Sequence, residues 1–229
     1  MGLVRNLSAG EIVDQAHRVN AFLLEEGVPG PRPLTNLVFM GMGEPLHNFD
    51  NVKQALEILE HPAGPRFSNR HLTVSTSGLV PGIARLGAET DVKLAVSLNA
   101  TTDAQRETLM PVGKRWSLAE LVQACREFPA RQGRHVTFEY VMLAGVNDSM
   151  EDARRLAKLV KGMPSKVNLI PYNANPGLPF GAPDPERVRQ FRDCLVSQGI
   201  EAFTRKSRGQ DIAAACGQLV ATGRAGPDA

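Results

Sequence analysis

The sequence predicts an α/β fold built on parallel strands joined by crossover helices. Short β-rich runs alternate with longer stretches of helical period along the chain, and the gaps between successive runs are long enough for a helix. An open doubly wound sheet and a barrel both satisfy that alternation. No dinucleotide fingerprint of the form G-x-G-x-x-G is present, which favours the barrel.

The elements read in order as follows. Ser8 and Glu11 have the spacing of a capping box, opening a helix whose apolar stripe is Ile12, Val13, Ala16, Val19 and Leu23. Asn36–Met40 reads as a strand ended by Gly41 and Gly43. Asp50 is a candidate cap for a helix through Val52, Leu56 and Leu59, stopped by Pro62. His71–Ser75 is the next strand, followed by a short helix near Ile83–Leu86 and a strand over Val92–Leu98. Ser117 and Glu120 repeat the capping-box spacing before Leu118, Leu121, Val122 and Cys125. Strands over His135–Val141 and Lys166–Ile170 bracket a helix from about Met150 to Val160. Pro185 suits the first turn of a helix carrying Val188, Phe191 and Leu195. Glu201–Thr204 is a last strand, before a helix from about Asp211 to Val220 and a small, polar tail over 222–229. Pro62–Asn69 and Ala174–Pro185 are rich in proline and glycine and read as loops.

Composition bounds the function classes. The chain has 229 residues, 42% hydrophobic and 22% charged, with a formal net charge of +2. That length suffices for a sizeable core, and any nucleic-acid surface must be a local patch rather than a basic whole. No apolar run reaches the roughly 18 residues a membrane helix needs, so a cytoplasmic protein with no membrane contact is expected. The three cysteines, Cys125, Cys194 and Cys216, are far apart and include no C-x-x-C pair, which argues against a disulfide framework and shows no metal site. Cys125, on an apolar helical stripe, and Cys194, beside Phe191 and Leu195, read as buried structural thiols.

In parallel α/β folds the loops after the strands converge on one side and carry the ligand. Here those exits are Gly41-Met42-Gly43-Glu44-Pro45, Ser75-Thr76-Ser77-Gly78, Ser97-Leu98-Asn99, Gly145-Val146-Asn147-Asp148 and Pro171-Tyr172-Asn173. Singly, each has the residues of an ordinary turn. Together they place glycines, hydroxyls, amides and one carboxylate on one rim, which suits a polar small molecule. Lys114-Arg115-Trp116 with Arg205, Lys206 and Arg208 is the candidate nucleic-acid patch, offering phosphate contacts and a stacking indole.

Gly41-Met42-Gly43-Glu44-Pro45-Leu46, Ser75-Thr76-Ser77-Gly78, Glu139-Tyr140-Val141-Met142-Leu143, Asn168-Leu169-Ile170-Pro171-Tyr172-Asn173 and the run from Arg208 to Leu219 resemble successive motifs of the radical S-adenosylmethionine RNA methyltransferases of the adenine-C2 (RlmN) type. The motifs stand in that family's order across nearly the whole chain. The resemblance implies a partial (β/α) barrel of the radical SAM type over residues 1–221, with 222–229 a disordered tail. It implies S-adenosylmethionine as cofactor, with Gly43 and Glu44 on its amino group and Ser75, Ser97, Leu98, Asn99 and Asn173 on its carboxylate, ribose and adenine. Asn99 stands where the family pattern has histidine. The resemblance makes Cys216 the methyl-carrying cysteine; its helical spacing alone suits a structural thiol, and the nearby Arg205, Lys206 and Arg208 would favour its thiolate.

The implied activity is methylation of adenine C2 in 23S rRNA, and in the family often of a tRNA adenine, through S-methylcysteine. A complete enzyme of this type also takes a [4Fe–4S] cluster and an electron donor, and a monomer is expected. Gly2–Leu7 resembles the segment just after the family's C-x-x-x-C-x-x-C cluster loop. The chain is therefore expected to be an incomplete form that does not turn over alone. Three alternatives stay open: an S-adenosylmethionine or RNA-binding module without turnover, the sister adenine-C8 (Cfr-like) activity, and an ordinary barrel aldolase or isomerase.

Overall fold

The computed structural model describes residues 4–30, 33–129, 135–173 and 179–205. Six strands, β1 (Leu37–Phe39), β2 (Leu72–Thr76), β3 (Lys93–Ser97), β4 (Val136–Met142), β5 (Ser165–Pro171) and β6 (Glu201–Thr204), form a sheet in the order β1-β2-β3-β4-β5-β6. The pairs β1–β2, β2–β3 and β5–β6 are parallel. A doubly wound sheet reverses its strand order at a switch point, whereas a barrel advances in one direction. The consecutive order therefore decides for barrel winding. No helix among the described residues is long and apolar enough to cross a membrane.

The chain divides into two compact units, Met1–Val96 with Gln123–Val136, and Ser97–Val122 with Thr137–Ala229. In the first, helix α1 (Ala9–Glu25) starts at the predicted capping box, with Ser8 accepting from the Glu11 N–H and Glu11 accepting from the Ser8 N–H. Helix α2 (Phe49–Glu60) departs from expectation at its start. A 3₁₀ turn over Pro45–Asn48 leads directly into it, so Asn48 is the cap residue and Asp50 lies within the first turn. There the carboxylate meets Arg85 of helix α3 (Val80–Glu89) at 2.7 Å, and the Arg85 guanidinium also stands 4.1 Å from the Phe49 ring centroid. Val52, Ala55, Leu56 and Leu59 of α2 and Ile83 and Leu86 of α3 are buried in this unit's core with Leu72 and Val74 of β2.

In the second unit a helical stretch appears that the apolar pattern did not announce. Helix α4 (Asp103–Leu109) and a 3₁₀ turn (Pro111–Lys114) follow β3. Their main buried side chain is Arg106, 1% exposed, whose guanidinium donates to the carbonyls of Ser97 and Leu98 at 3.1 and 2.5 Å. A core-facing arginine breaks the hydrophobic period, which is why the helix was not legible. Helix α5 (Leu118–Glu127) begins at the second predicted capping box, Ser117 and Glu120. Helix α6 (Met150–Val160) has a capping box of its own, Ser149 with Asp152. Helix α7 (Pro185–Ser197) starts at Asp184 with proline in its first turn, and its Phe191 meets Tyr140 of β4 at 5.5 Å.

Candidate functional site

In the first unit the site residues lie at the ends of β1 and β2. Gly43 has φ +104°, a conformation that side chains with a Cβ rarely adopt, and it turns the chain into Glu44. The Glu44 carboxylate closes this corner. Its Oε1 accepts from the Leu46 N–H at 3.0 Å, and Oε2 accepts from the Ser77 N–H and hydroxyl at 2.7 and 2.8 Å. Two strand exits are thus tied through one side chain. A carboxylate offers about four acceptor positions, so three bonds leave room for one more donor. No lysine or arginine among the described residues neutralises it. Ser75 is buried on β2, and Thr76 caps the following turn by accepting from the N–H groups of Gly78 and Leu79.

In the second unit Ser97, Leu98 and Asn99 leave β3. Asn99 has φ 55°, in the left-handed region that asparagine and histidine enter more readily than most residues. The backbone therefore suits either residue at this position. The Asn99 side chain is already engaged: Oδ1 accepts from the Val141 N–H at 2.8 Å, and Nδ2 stands 3.5 Å from Met110 Sδ. Asn173 lies half-buried at the end of β5, after Tyr172, whose ring meets Phe180 edge-on at 6.3 Å.

Asn147, read from sequence as one more polar rim residue, is fully buried and holds the β4 exit together. It donates to the carbonyls of Asn99 and Val141, both at 2.8 Å, accepts from the Leu143 N–H at 2.7 Å, and its own carbonyl takes the Tyr140 hydroxyl. Burial beside Asp152 and Asp148 pushes the Tyr140 hydroxyl far above its ordinary range.

Next to this lies a second polar cluster that sequence reasoning missed. Asp152 is 2% exposed and accepts from Ser149, Thr101, Gln105 and Arg155. Burial pushes its pKa upward, but those donors prevail and hold it down at about 2.

Cys125 is buried, as expected. Cys194 is not: it sits half-exposed on the flank of α7, between the stripe of Val188, Phe191 and Leu195 and the solvent side. Lys206, Arg208 and Cys216 lie outside the described residues. Of the candidate nucleic-acid patch, Lys114, Arg115 and Arg205 are exposed. Trp116 is half-buried, with the Arg115 guanidinium 4.7 Å from its ring centroid, so one face of the indole already carries a cation.

The model of the radical SAM superfamily matches residues 3–157. The chain belongs to the radical SAM superfamily. It is 66% identical over 99% of its length to a dual-specificity RNA methyltransferase RlmN of Anaeromyxobacter dehalogenans, and 59% identical over its whole length to RlmN 2 of Myxococcus xanthus. In both cases it spans 61% of the relative's length. Among solved structures it is similar to a radical SAM methyltransferase from Sphaerobacter thermophilus, with a TM-score of 0.89 and 49% identity, covering 95% of this chain and 63% of that one. A domain of pyruvate-formate lyase-activating enzyme from Bacteroides vulgatus shares the fold at 18% identity and TM-score 0.56, over 75% of this chain and 99% of that one.

Radical SAM chemistry uses S-adenosylmethionine and an iron–sulfur cluster, and the described residues stand differently toward the two. Spare acceptor capacity at Glu44, glycine at the turn before it and the hydroxyls of the β2 exit suit a polar, amine-bearing cofactor such as S-adenosylmethionine. No three His, Cys, Asp or Glu side chains among the described residues converge as cluster or metal ligands. Cluster iron is held by several cysteine thiolates together, and neither Cys125 nor Cys194 belongs to such a group among the described residues. The described residues therefore do not fit a cluster.

Proposed function

We propose that this chain is the cofactor-binding part of an RNA methyltransferase that places a methyl group on C2 of an adenine in 23S rRNA, and also in tRNA, by way of S-methylcysteine at Cys216. The observation that carries the reading is 66% identity across 99% of the chain to an RlmN protein, combined with the polar strand exits. Gly43 and Glu44 receive the cofactor's ammonium. Ser75, Ser97, Leu98, Asn99 and Asn173 face its carboxylate, ribose and adenine. Because the Asn99 side-chain oxygen is bound to Val141, Asn99 contributes through its remaining amide hydrogen or its backbone position.

When bound, S-adenosylmethionine supplies an electrophilic methyl sulfonium. Adenine C2 lies between two ring nitrogens and is too electron-poor to attack it, whereas a thiolate is the strongest nucleophile among ordinary side chains. The cationic run Arg205, Lys206 and Arg208 would favour loss of the Cys216 proton, leaving a thiolate sulfur to receive that methyl. Lys114, Arg115 and Trp116 together with those cations form the proposed RNA-facing patch. The protein works as a cytoplasmic monomer with an external electron donor.

The test joins this chain to the part of the Anaeromyxobacter dehalogenans relative that it does not span and incubates the loaded enzyme with a 23S rRNA fragment. Nucleoside chromatography should then show 2-methyladenosine. Appearance of 8-methyladenosine would move the chain to the sister activity, and a loaded, folded enzyme giving neither product would contradict the proposal.

A further inference from the structure

A carboxylate inside the second unit is used by nothing described above. Glu139 interrupts the apolar run of β4 and is 6% exposed. Its Oε1 accepts from Asn168 Nδ2 of β5 at 3.0 Å, while Oε2 is buried without a hydrogen-bond partner among the described residues. A buried oxygen left unsatisfied destabilises the fold, the more so when it is charged. A group of this kind calls for a partner, and a bound molecule with a hydrogen-bond donor would supply one.

The direction it faces follows from alternation along the strand. Tyr140 turns its ring to Phe191 of α7, so Glu139, the preceding residue, is turned to the other face of the sheet. The Leu98 N–H donates to the Glu139 carbonyl at 2.9 Å, which sets the end of β3 alongside the middle of β4. Ser97 precedes Leu98, and it alternates with the fully buried Val96 and Leu98. On the other side, Asn168 is the register partner of Phe203 in β6, whose ring is 50% exposed. A row across β3 to β6 thus presents a hydroxyl, an open carboxylate oxygen, an amide and an apolar ring.

We infer that Glu139, oriented by Asn168, accepts a hydrogen bond from a ribose hydroxyl of the bound nucleoside cofactor. The inference deepens the cofactor reading of the strand exits and rests on it. The donor–acceptor pattern selects the ribose. A hydroxyl donates to a carboxylate and still accepts from a neighbour such as Ser97, whereas the exocyclic amine of adenine essentially only donates. A carboxylate on a ribose hydroxyl is also how many dinucleotide sites read their sugar. Phe203 supplies an apolar wall beside it.

The experiment measures equilibrium binding of S-adenosylhomocysteine, of its 2′-deoxy and 3′-deoxy forms, and of its N6,N6-dimethyl form. The proteins are the 229-residue chain and its Glu139→Gln and Glu139→Ala variants, with a thermal melt of each. Loss of one charge-assisted hydrogen bond predicts about tenfold weaker binding of S-adenosylhomocysteine by Glu139→Ala. One of the deoxy forms should bind wild type and Glu139→Ala alike, while the dimethyl form keeps the difference. Glu139→Gln should keep the bond from Asn168 and melt no lower than wild type, yet bind more weakly. Equal affinity of all three proteins would overturn the inference and leave the cofactor reading standing. So would a lower melting temperature with unchanged affinity, which marks a structural role. A difference abolished by the dimethyl form would overturn the ribose assignment. No binding by wild type would overturn the cofactor reading and this inference together.

Discussion

Asn147 donates its side-chain amide to the backbone carbonyl of Asn99 at 2.8 Å, while the Asn99 side chain accepts from the Val141 N–H at the same distance. The β3 and β4 exits are therefore locked by two amides, with Asn147 satisfying a second carbonyl at Val141. Replacing Asn147 by aspartate puts a carboxylate oxygen against two carbonyl oxygens in a fully buried place. Asn147→Asp should cost about 3 kcal/mol or more. A chemical denaturation series checks this, and a variant within about 0.5 kcal/mol of wild type would show that the lock contributes little.

Glu44 ties the β1 exit to Ser77 at the β2 exit and is proposed to receive the cofactor's ammonium. Glu44→Gln keeps one acceptor oxygen and loses the charge. It should weaken S-adenosylmethionine binding about tenfold or more, with a melting temperature lowered by only a few degrees. Titration calorimetry alongside a thermal melt separates the two effects. Unchanged affinity would remove Glu44 from the proposed site.

The Asp152 cluster makes a prediction about acid. Its folded-state pKa of about 2 lies below the ordinary 3.8, so its ionised form stabilises the fold above about pH 4. That contribution falls away as pH drops from about 4 towards 2, where the carboxylate takes a proton. Asp152→Asn should be less stable than wild type at pH 7, and the gap should narrow across that acid window. Denaturation midpoints measured at several pH values test this. A gap independent of pH would assign the loss to packing alone.

Anaerobic reconstitution of the 229-residue chain with iron and sulfide should yield well under one cluster per chain, since no group of three ligand side chains converges among the described residues. Iron analysis with the charge-transfer absorption band reads this directly. About one [4Fe–4S] cluster per chain would contradict it.

Much of the scaffold was legible because its signals are local. The three strands from β4 onward and the helices opened by Ser8 and Ser117 lie within a residue or two of where periodicity and capping spacing put them. What the sequence hid is polar and buried. Helix α4 turns Arg106 inward to serve two carbonyls, which defeats an apolar-stripe search. Asn147 looks like a loop asparagine until its long-range partner Asn99, 48 residues away, is known. Glu139 and Asn168 stood within recognised motifs, but their pairing depends on neighbouring strands that one-dimensional pattern cannot align. The α2 cap shifted to Asn48 because a 3₁₀ turn preceded the helix, a boundary effect that propensity rarely resolves.

Peptide mass spectrometry of Cys216 probes the methyl-transfer proposal at its decisive atom. The chain is joined to the part of the Anaeromyxobacter dehalogenans relative that it does not span, loaded with cluster, and incubated with methyl-labelled S-adenosylmethionine. The labelled methyl should appear on the peptide containing Cys216, and Cys216→Ala should remain folded but make no 2-methyladenosine. Label on Cys125 or Cys194 instead, or full adenine methylation by Cys216→Ala, would contradict the assignment.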